Sequence, residues 1–257
     1  MSATAQEKKT ATASLTQASS WKGLLVQPIV LLIILGIMMW WMSTVELTDT
    51  EQVTLNSESL WLLTWQHLKL TLISAAIVLL TAIPLGILLT RGPFRKYTAI
   101  VMAIANVGQA APMVGLVVLF AMWLGFGSTA AIVTLVVYAF LPVLKNTMVG
   151  LEAVDKRTIE AARGMGMSPA TVLRKVELPL AVPVMLAGIR TALVLLVGSA
   201  TLATFINGGG LGLLITTGVN LALDRVLIFG SLLVAIFALA IDWAARVVET
   251  LVTPKGL

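Results

Sequence analysis

Residues 97–144 read YTAIVMAIANVGQAAPMVGLVVLFAMWLGFGSTAAIVTLVVYAFLPVL, 48 consecutive positions without Asp, Glu, Lys or Arg. A membrane-crossing helix needs about 20 predominantly apolar residues, so this run suffices for two crossings and a tight turn. Trp123–Ser128, with Gly125 and Gly127, is the expected turn, giving the third and fourth spans. Working outward, Leu24–Met42 and Leu70–Thr90 are also charge-free, Leu178–Ile206 is interrupted only by Arg190, and Val226–Ala245 carries Asp242 near its end. The expected fold is an all-α membrane protein with six transmembrane helices.

Composition agrees. Of 257 residues 58% are apolar and only 11% charged, whereas soluble domains carry about 25% charged residues. Too little charge remains to cover a soluble globule. Zero cysteines exclude a disulfide scaffold, and the apolar content excludes a disordered chain. A net charge of +5 is compatible in principle with a nucleic-acid partner, but its distribution argues against one. The tail before residue 24, the loop 91–96, the segment 145–175 and the C-terminus hold 3, 3, 6 and 2 of the 17 basic residues, 14 on one side of the expected membrane. Basic residues collect in cytoplasmic loops, so both termini are expected in the cytoplasm.

Residues 1–23 read as a disordered cytoplasmic tail and 24–43 as an N-terminal transmembrane helix. A signal peptide is the competing reading; the long polar leader and the interfacial pair Trp40-Trp41 oppose it. Residues 43–60 are acidic, with Glu46, Asp49, Glu51 and Glu58 and no Lys or Arg. Trp61, Trp65, His67 and Lys69 are expected on an amphipathic lead-in at the outer surface. No internal sequence repeat supports an inverted-repeat transporter.

The segment 150–180 is the only long charged stretch within the hydrophobic region. It reads as two short helices, the first capped by Asp155 and ending at Gly166, the second capped by Ser168 with Pro169 at its first position. Ala161 and Ala162 leave one face of the first helix without bulk, open to close docking, beside the charge of Glu160. Pro179 is expected to end the second helix. On these features alone an ordinary amphipathic interfacial loop is an equal reading.

Glu160-Ala161-Ala162, three residues, Gly166, nine residues, then Val176-x-Leu178-Pro179 resembles the cytoplasmic signature of ABC importer permeases, with Val176 where Ile is usual. These MetI-like proteins are the inner-membrane components of binding-protein-dependent transport systems, and the resemblance covers residues 61–251. It implies a five-helix permease core preceded by an added N-terminal helix. Narrower likenesses, in His67-Leu68-x-Leu70 through Pro84-Leu85-Gly86, Tyr138-x-x-Leu141-Pro142-Val143-Leu144-x-Asn146-Thr147, Ala187-Gly188-Ile189-Arg190-Thr191-Ala192 and Gly209-Gly210-Leu211-Gly212, resemble osmoprotectant permeases for glycine betaine, carnitine or choline.

The resemblance implies a bacterial inner-membrane location, a second permease subunit, a cytoplasmic ABC ATPase dimer and a periplasmic or extracellular substrate-binding protein. Glu160, Ala161, Ala162, Gly166, Leu178 and Pro179 would couple to the ATPase. A β-branched residue at 166 is expected to uncouple transport, because the turn needs a backbone conformation that glycine tolerates best. The chain has no G-x-x-x-x-G-K-[ST] phosphate loop, so ATP belongs to the partner, no cofactor is expected here and the chain is not expected to be an enzyme.

For the translocation path, Asn106 and Gln109, beside Gly108 and Pro112, interrupt the third span; they either line a polar path or bond between helices. Thr201, Thr204 and Asn207 share a face at helical spacing and lead to a glycine-rich turn, Gly208–Gly210, that reads as an external gate or a simple turn. Arg190 lies roughly 12 Å along its helix from Val182 and reads either as functional or as snorkelling to the headgroups. His67, the only histidine, is expected at the surface, and the eleven methionines as packing. With two tyrosines no aromatic cage for a quaternary ammonium group is apparent, which places selectivity in a separate binding protein.

Three rivals remain: a permease of the same fold for an amino acid or sulfonate, a secondary transporter or channel, and a membrane enzyme. The second should carry intramembrane carboxylates or paired broken helices, and only Asp224 and Asp242 lie near spans, at their expected ends. The third lacks a cluster of His, Cys or paired carboxylates.

Overall fold

The computed structural model describes residues 21–252 and contains only helices and turns over that range. Residues 1–20 of the expected tail lie outside it; the first helix already begins at Trp21. Helix α1 runs Trp21–Thr44, α2 Asp49–Thr54, α3 Ser57–Leu89, α4 Thr98–Ala110, α5 Met113–Leu124, α6 Ser128–Glu152, α7 Lys156–Gly164, α8 Pro169–Val172, α9 Leu178–Ala200, α10 Gly212–Asn220 and α11 Asp224–Val252. Five helices are long and apolar enough to cross a membrane; the sixth candidate span is the stretch 92–124, bent by 102°.

That bend follows from Pro112. The residue before a proline is pushed out of the α region, and Ala111 is extended at φ −64°, ψ 141°, with Pro112 as the N-cap of α5. The third span expected from the sequence is thus two short arms, α4 and α5. The turn after it lies where expected: α5 ends at Leu124, Gly125 and Gly127 take positive φ, and α6 starts at Ser128.

Helix α3 joins the lead-in to the span. Asn56 caps it, accepting from the Ser59 N–H at 2.7 Å, and the 33 residues that follow form one helix of roughly 50 Å. The lead-in is continuous with the span and amphipathic, with Trp61, Trp65 and Lys69 exposed and Leu63, His67 and Leu70 buried. Helix α6 is the centre of the protein and packs against α3, α4, α5 and α9. Its seams are lined by small, fully buried residues, among them Ala82, Ala130, Ala139, Ala192 and Ala200. Lipid offers no hydrophobic drive between helices, so close backbone approach over small side chains supplies the packing. At Gly188 a β-carbon would stand 2.7 Å from the Pro142 carbonyl of α6.

Helix α1 lies at the periphery against α11. The Trp243 Nε1–H donates to the Leu24 carbonyl at 2.7 Å, and Gln27 Nε2 donates to Leu239 O at 3.0 Å. The acidic stretch after it is ordered by a capping box in which Thr48 and Glu51 bond reciprocally. Arg225 adds an ion pair to Glu51 at 3.1 Å.

Candidate functional site

Helix α7 and the turn after it are built from local bonds. Asp155 accepts from the Arg157 N–H at 2.9 Å, opening the helix. At the far end the Met167 N–H reaches Ala162 O and the Gly166 N–H reaches Arg163 O, the double bond of a Schellman motif. Gly166 closes it at φ +82°, in open space, so the need for glycine here is conformational and not steric. Ser168 then caps α8, accepting from the Thr171 N–H, with Pro169 at the first position.

The surface this segment presents differs from expectation in one residue. Glu160 and Ala161 are exposed, whereas Ala162 is 2% exposed and packs inward. Its small size serves the seat of α7 on the protein, and Ala161 alone keeps the outer face low beside Glu160. Pro179 also departs from the reading that it ends a helix. A π-turn over Leu173–Glu177 joins α8 to α9, with the Leu178 N–H bonded back to Leu173 O, and the chain passes through Pro179 into the span without turning. Proline lacks an N–H to offer, and one wide turn ahead of it accommodates the missing bond. Leu178 packs on the cluster of Leu151, Ala181 and Met185.

Glu177 lies between the motif positions Val176 and Leu178 and carried no role in the sequence reading. It is 4% exposed and receives both ends of the Arg91 guanidinium, at 3.1 and 2.5 Å. Arg91 follows α3, so this ion pair ties the base of α9 to the first core helix. A cleft of about 350 Å³ opens beside it, lined by Arg91, Arg95, Glu152, Lys156 and Arg163 among others.

The path candidates fall on separate elements. Asn106 is exposed on α4 and donates to Met102 O of its own helix at 2.7 Å, and Gln109 is half-buried on the same arm. Thr201 and Thr204 lie on a 3-10 turn, Thr201–Ile206, that packs against α5 and α6. In a 3-10 turn residues three apart align, which puts Thr201 and Thr204 on one face; Asn207 follows as the C-cap. Asn207 leaves the helix in the left-handed conformation at φ 57° and is exposed.

Two polar residues fall where the sequence reading did not place them. His67 is fully buried, its Nε2–H donating to Val197 O of α9 at 3.0 Å and its ring edge-on to Phe237 of α11. The apolar company at 130 positions' remove leaves no local trace. Arg190 does not stand alone: it forms a two-pronged ion pair with Asp242, which also receives Arg246 at 3.0 Å. The helix that carries Asp242 continues ten residues beyond it, to Val252.

A core of tightly packed apolar helices with one short amphipathic helix presented at one end is the build of a polytopic membrane protein. Residues 82–254 match the model of the family described as binding-protein-dependent transport system inner membrane component, and the chain belongs to that family. Its members are permease subunits, not enzymes. The chain is 43% identical over 194 residues to the choline transport system permease protein OpuBB of Bacillus subtilis, covering 76% of this chain and 88% of that protein. It is 40% identical over 214 residues to the osmoprotectant import permease protein OsmY of Salmonella typhimurium, covering 83% and 88%. Among solved structures, an inward-facing form of the MetNI methionine ABC transporter contains a chain matched at a TM-score of 0.66 and 26% identity, over 78% of this chain and all of that one.

Proposed function

We propose that this chain is the membrane-spanning subunit of an ATP-driven importer for a compatible solute of the glycine betaine, choline and carnitine class. The observation that carries the reading is α7: a short capped helix whose exposed face is Glu160 and Ala161, closed by a glycine that must be a glycine. Such a helix is a rigid knob suited to a groove on a cytoplasmic ATPase, and the choline and osmoprotectant relatives support the solute class.

In this reading two permease subunits face each other in a bacterial inner membrane, with termini and α7 on the cytoplasmic side. Closure of the ATPase dimer displaces α7, and the coupling residues Glu160, Ala161, Ala162, Gly166, Leu178 and Pro179 pass the movement to α9. A substrate-binding protein delivers the solute at the opposite face. ATP stays with the partner, and this chain binds no cofactor. Thr201, Thr204 and Asn207, with Asn106 and Gln109 on the bent arm, offer hydroxyls and amides to the passing solute.

Reconstitution with a partner ATPase and binding protein tests this. ATP-dependent accumulation of labelled glycine betaine, choline or carnitine is the expected result. Preference for methionine would favour the substrate of the structural neighbour instead. Uptake by this chain alone, without ATP, would make it a secondary transporter or channel; against that, Asp242 on α11 is held by two arginines.

A further inference from the structure

Helix α3 is tied at both ends to the two irregular stretches that flank α9. Near its last residue, Arg91 grips Glu177 at the base of α9 with both guanidinium nitrogens. At its tenth residue, Gln66 Oε1 accepts the N–H of Gly210 at 3.1 Å, and the ring of His67 lies against the same glycine. Between Gln66 and Leu89 the helix spans roughly 35 Å. No sequence motif marks either tie, and the partners are 86 and 144 positions apart.

We propose that α3 carries displacement of the coupling segment to the glycine-rich turn, with Arg91, Glu177 and Gln66 as positioning residues at its two ends; this rests on the importer reading above. Two observations place α3 beside the covalent route through α9. The π-turn at Leu173–Glu177 ends on Glu177 itself, so movement of α7 and α8 that reaches the root of α9 also bears on Arg91. The Arg91–Glu177 pair is stiff, because Glu177 is nearly without solvent and parting from Arg91 would leave a buried charge uncompensated. At the far end the turn is seated directly on α3. Gly209 and Gly210 stand at φ +82° and +96°, and the Gln66 side chain fills the space that a β-carbon at 209 would need.

The test uses the reconstituted complex with ATPase and binding protein, reading labelled glycine betaine moved per ATP hydrolysed alongside assembly of the complex. Glu177→Gln and Gln66→Leu are each expected to lower that ratio roughly tenfold, a coupling free energy in the usual range, with assembly and ATP hydrolysis retained. Because the two ties act in series, the double variant is expected to be no worse than the poorer single one. The exchanged pair Arg91→Glu with Glu177→Arg is expected to restore most of the ratio, which a purely local packing role would not produce. An unchanged ratio in either single variant, losses that multiply in the double variant, or failure of the exchanged pair to restore coupling would each overturn the proposal. If Glu177→Gln fails to assemble, Gln66→Leu, at the opposite end of the molecule, decides. A wild-type complex without ATP-dependent uptake overturns the importer reading and this one with it; an active wild type with unchanged variants overturns this one alone.

Discussion

The capped helices over residues 155–172 and the glycine-rich turn over 207–212 lie on either side of α9 and are held in opposite ways. The first is built from its neighbours in sequence: Asp155 caps α7, Gly166 closes it, and Ser168 opens α8 within three residues of itself. The second is held by the rest of the protein. Gly208 rests on Ala203 and Ala131, Gly210 on Gln66 and His67, and Gly212 on the backbone of Thr201. A segment ordered by its own caps keeps its shape by itself, while the shape of the turn depends on the elements packed around it.

The same kind of substitution therefore has different consequences at the two places. The largest effect is expected at Gly212→Ala, whose new methyl group overlaps the Thr201 carbonyl, a backbone atom that cannot step aside. A loss of about 3 kcal/mol, the upper end of overpacking, should be visible as a lowered melting temperature in detergent. A melt equal to wild type would mean that the turn is as self-contained as the coupling segment. Gly166→Val adds a side chain in open space and suffers only from the backbone, at about 2 kcal/mol for a left-handed residue with a branched side chain. Its loss is expected in transport more than in melting temperature, since α7 alone is reshaped; uptake per ATP in the reconstituted complex measures it, and normal uptake with normal ATPase association would count against a coupling role.

Ser168→Ala should cost about 1 kcal/mol, the worth of an N-cap. Faster hydrogen exchange confined to 168–172 would confirm that the segment's order is local, and a spread into α9 would break the distinction. The smallest effect concerns a third local structure, the capping box of α2. The Thr48 N–H, followed by the Thr48 hydroxyl and Arg225, holds the Glu51 carboxyl below its ordinary value of 4.5. A lowered pKa means that its contribution is complete above pH 4.5 and fades as pH falls through the folded value. Amide protection over 48–55 should therefore decline only in acid, and Glu51→Gln should remove that pH dependence.

Legibility followed the same division. Charge-free runs announced the spans, glycines the turn after Leu124, and Pro112 the place where the third span fails as a straight helix. Asp155, Gly166 and Ser168 were readable because each acts on residues within five positions of itself. His67 was misplaced on the surface because its partner Val197 lies on another helix, and Ala162 was read as outward because helical spacing does not say which face the protein covers. Pro179 was read as a stop because a π-turn ahead of a proline has no sequence mark of its own. Arg190 had two equal readings until Asp242, 52 positions on, proved to lie inside its helix and beside it.

By itself the sequence determined that this chain lives in a membrane, roughly where its spans lie, and that one charged segment between them folds as short capped helices. Those properties depend on apolar length, charge and caps, all of which act over one or two helical turns. Only the tertiary structure decided which side of each helix is buried and which distant groups pair, from Arg91 with Glu177 to Gln66 with Gly210. In an apolar medium a helix satisfies its own backbone, so its orientation about its axis is set by close packing of small residues and by the few polar side chains that must find one another.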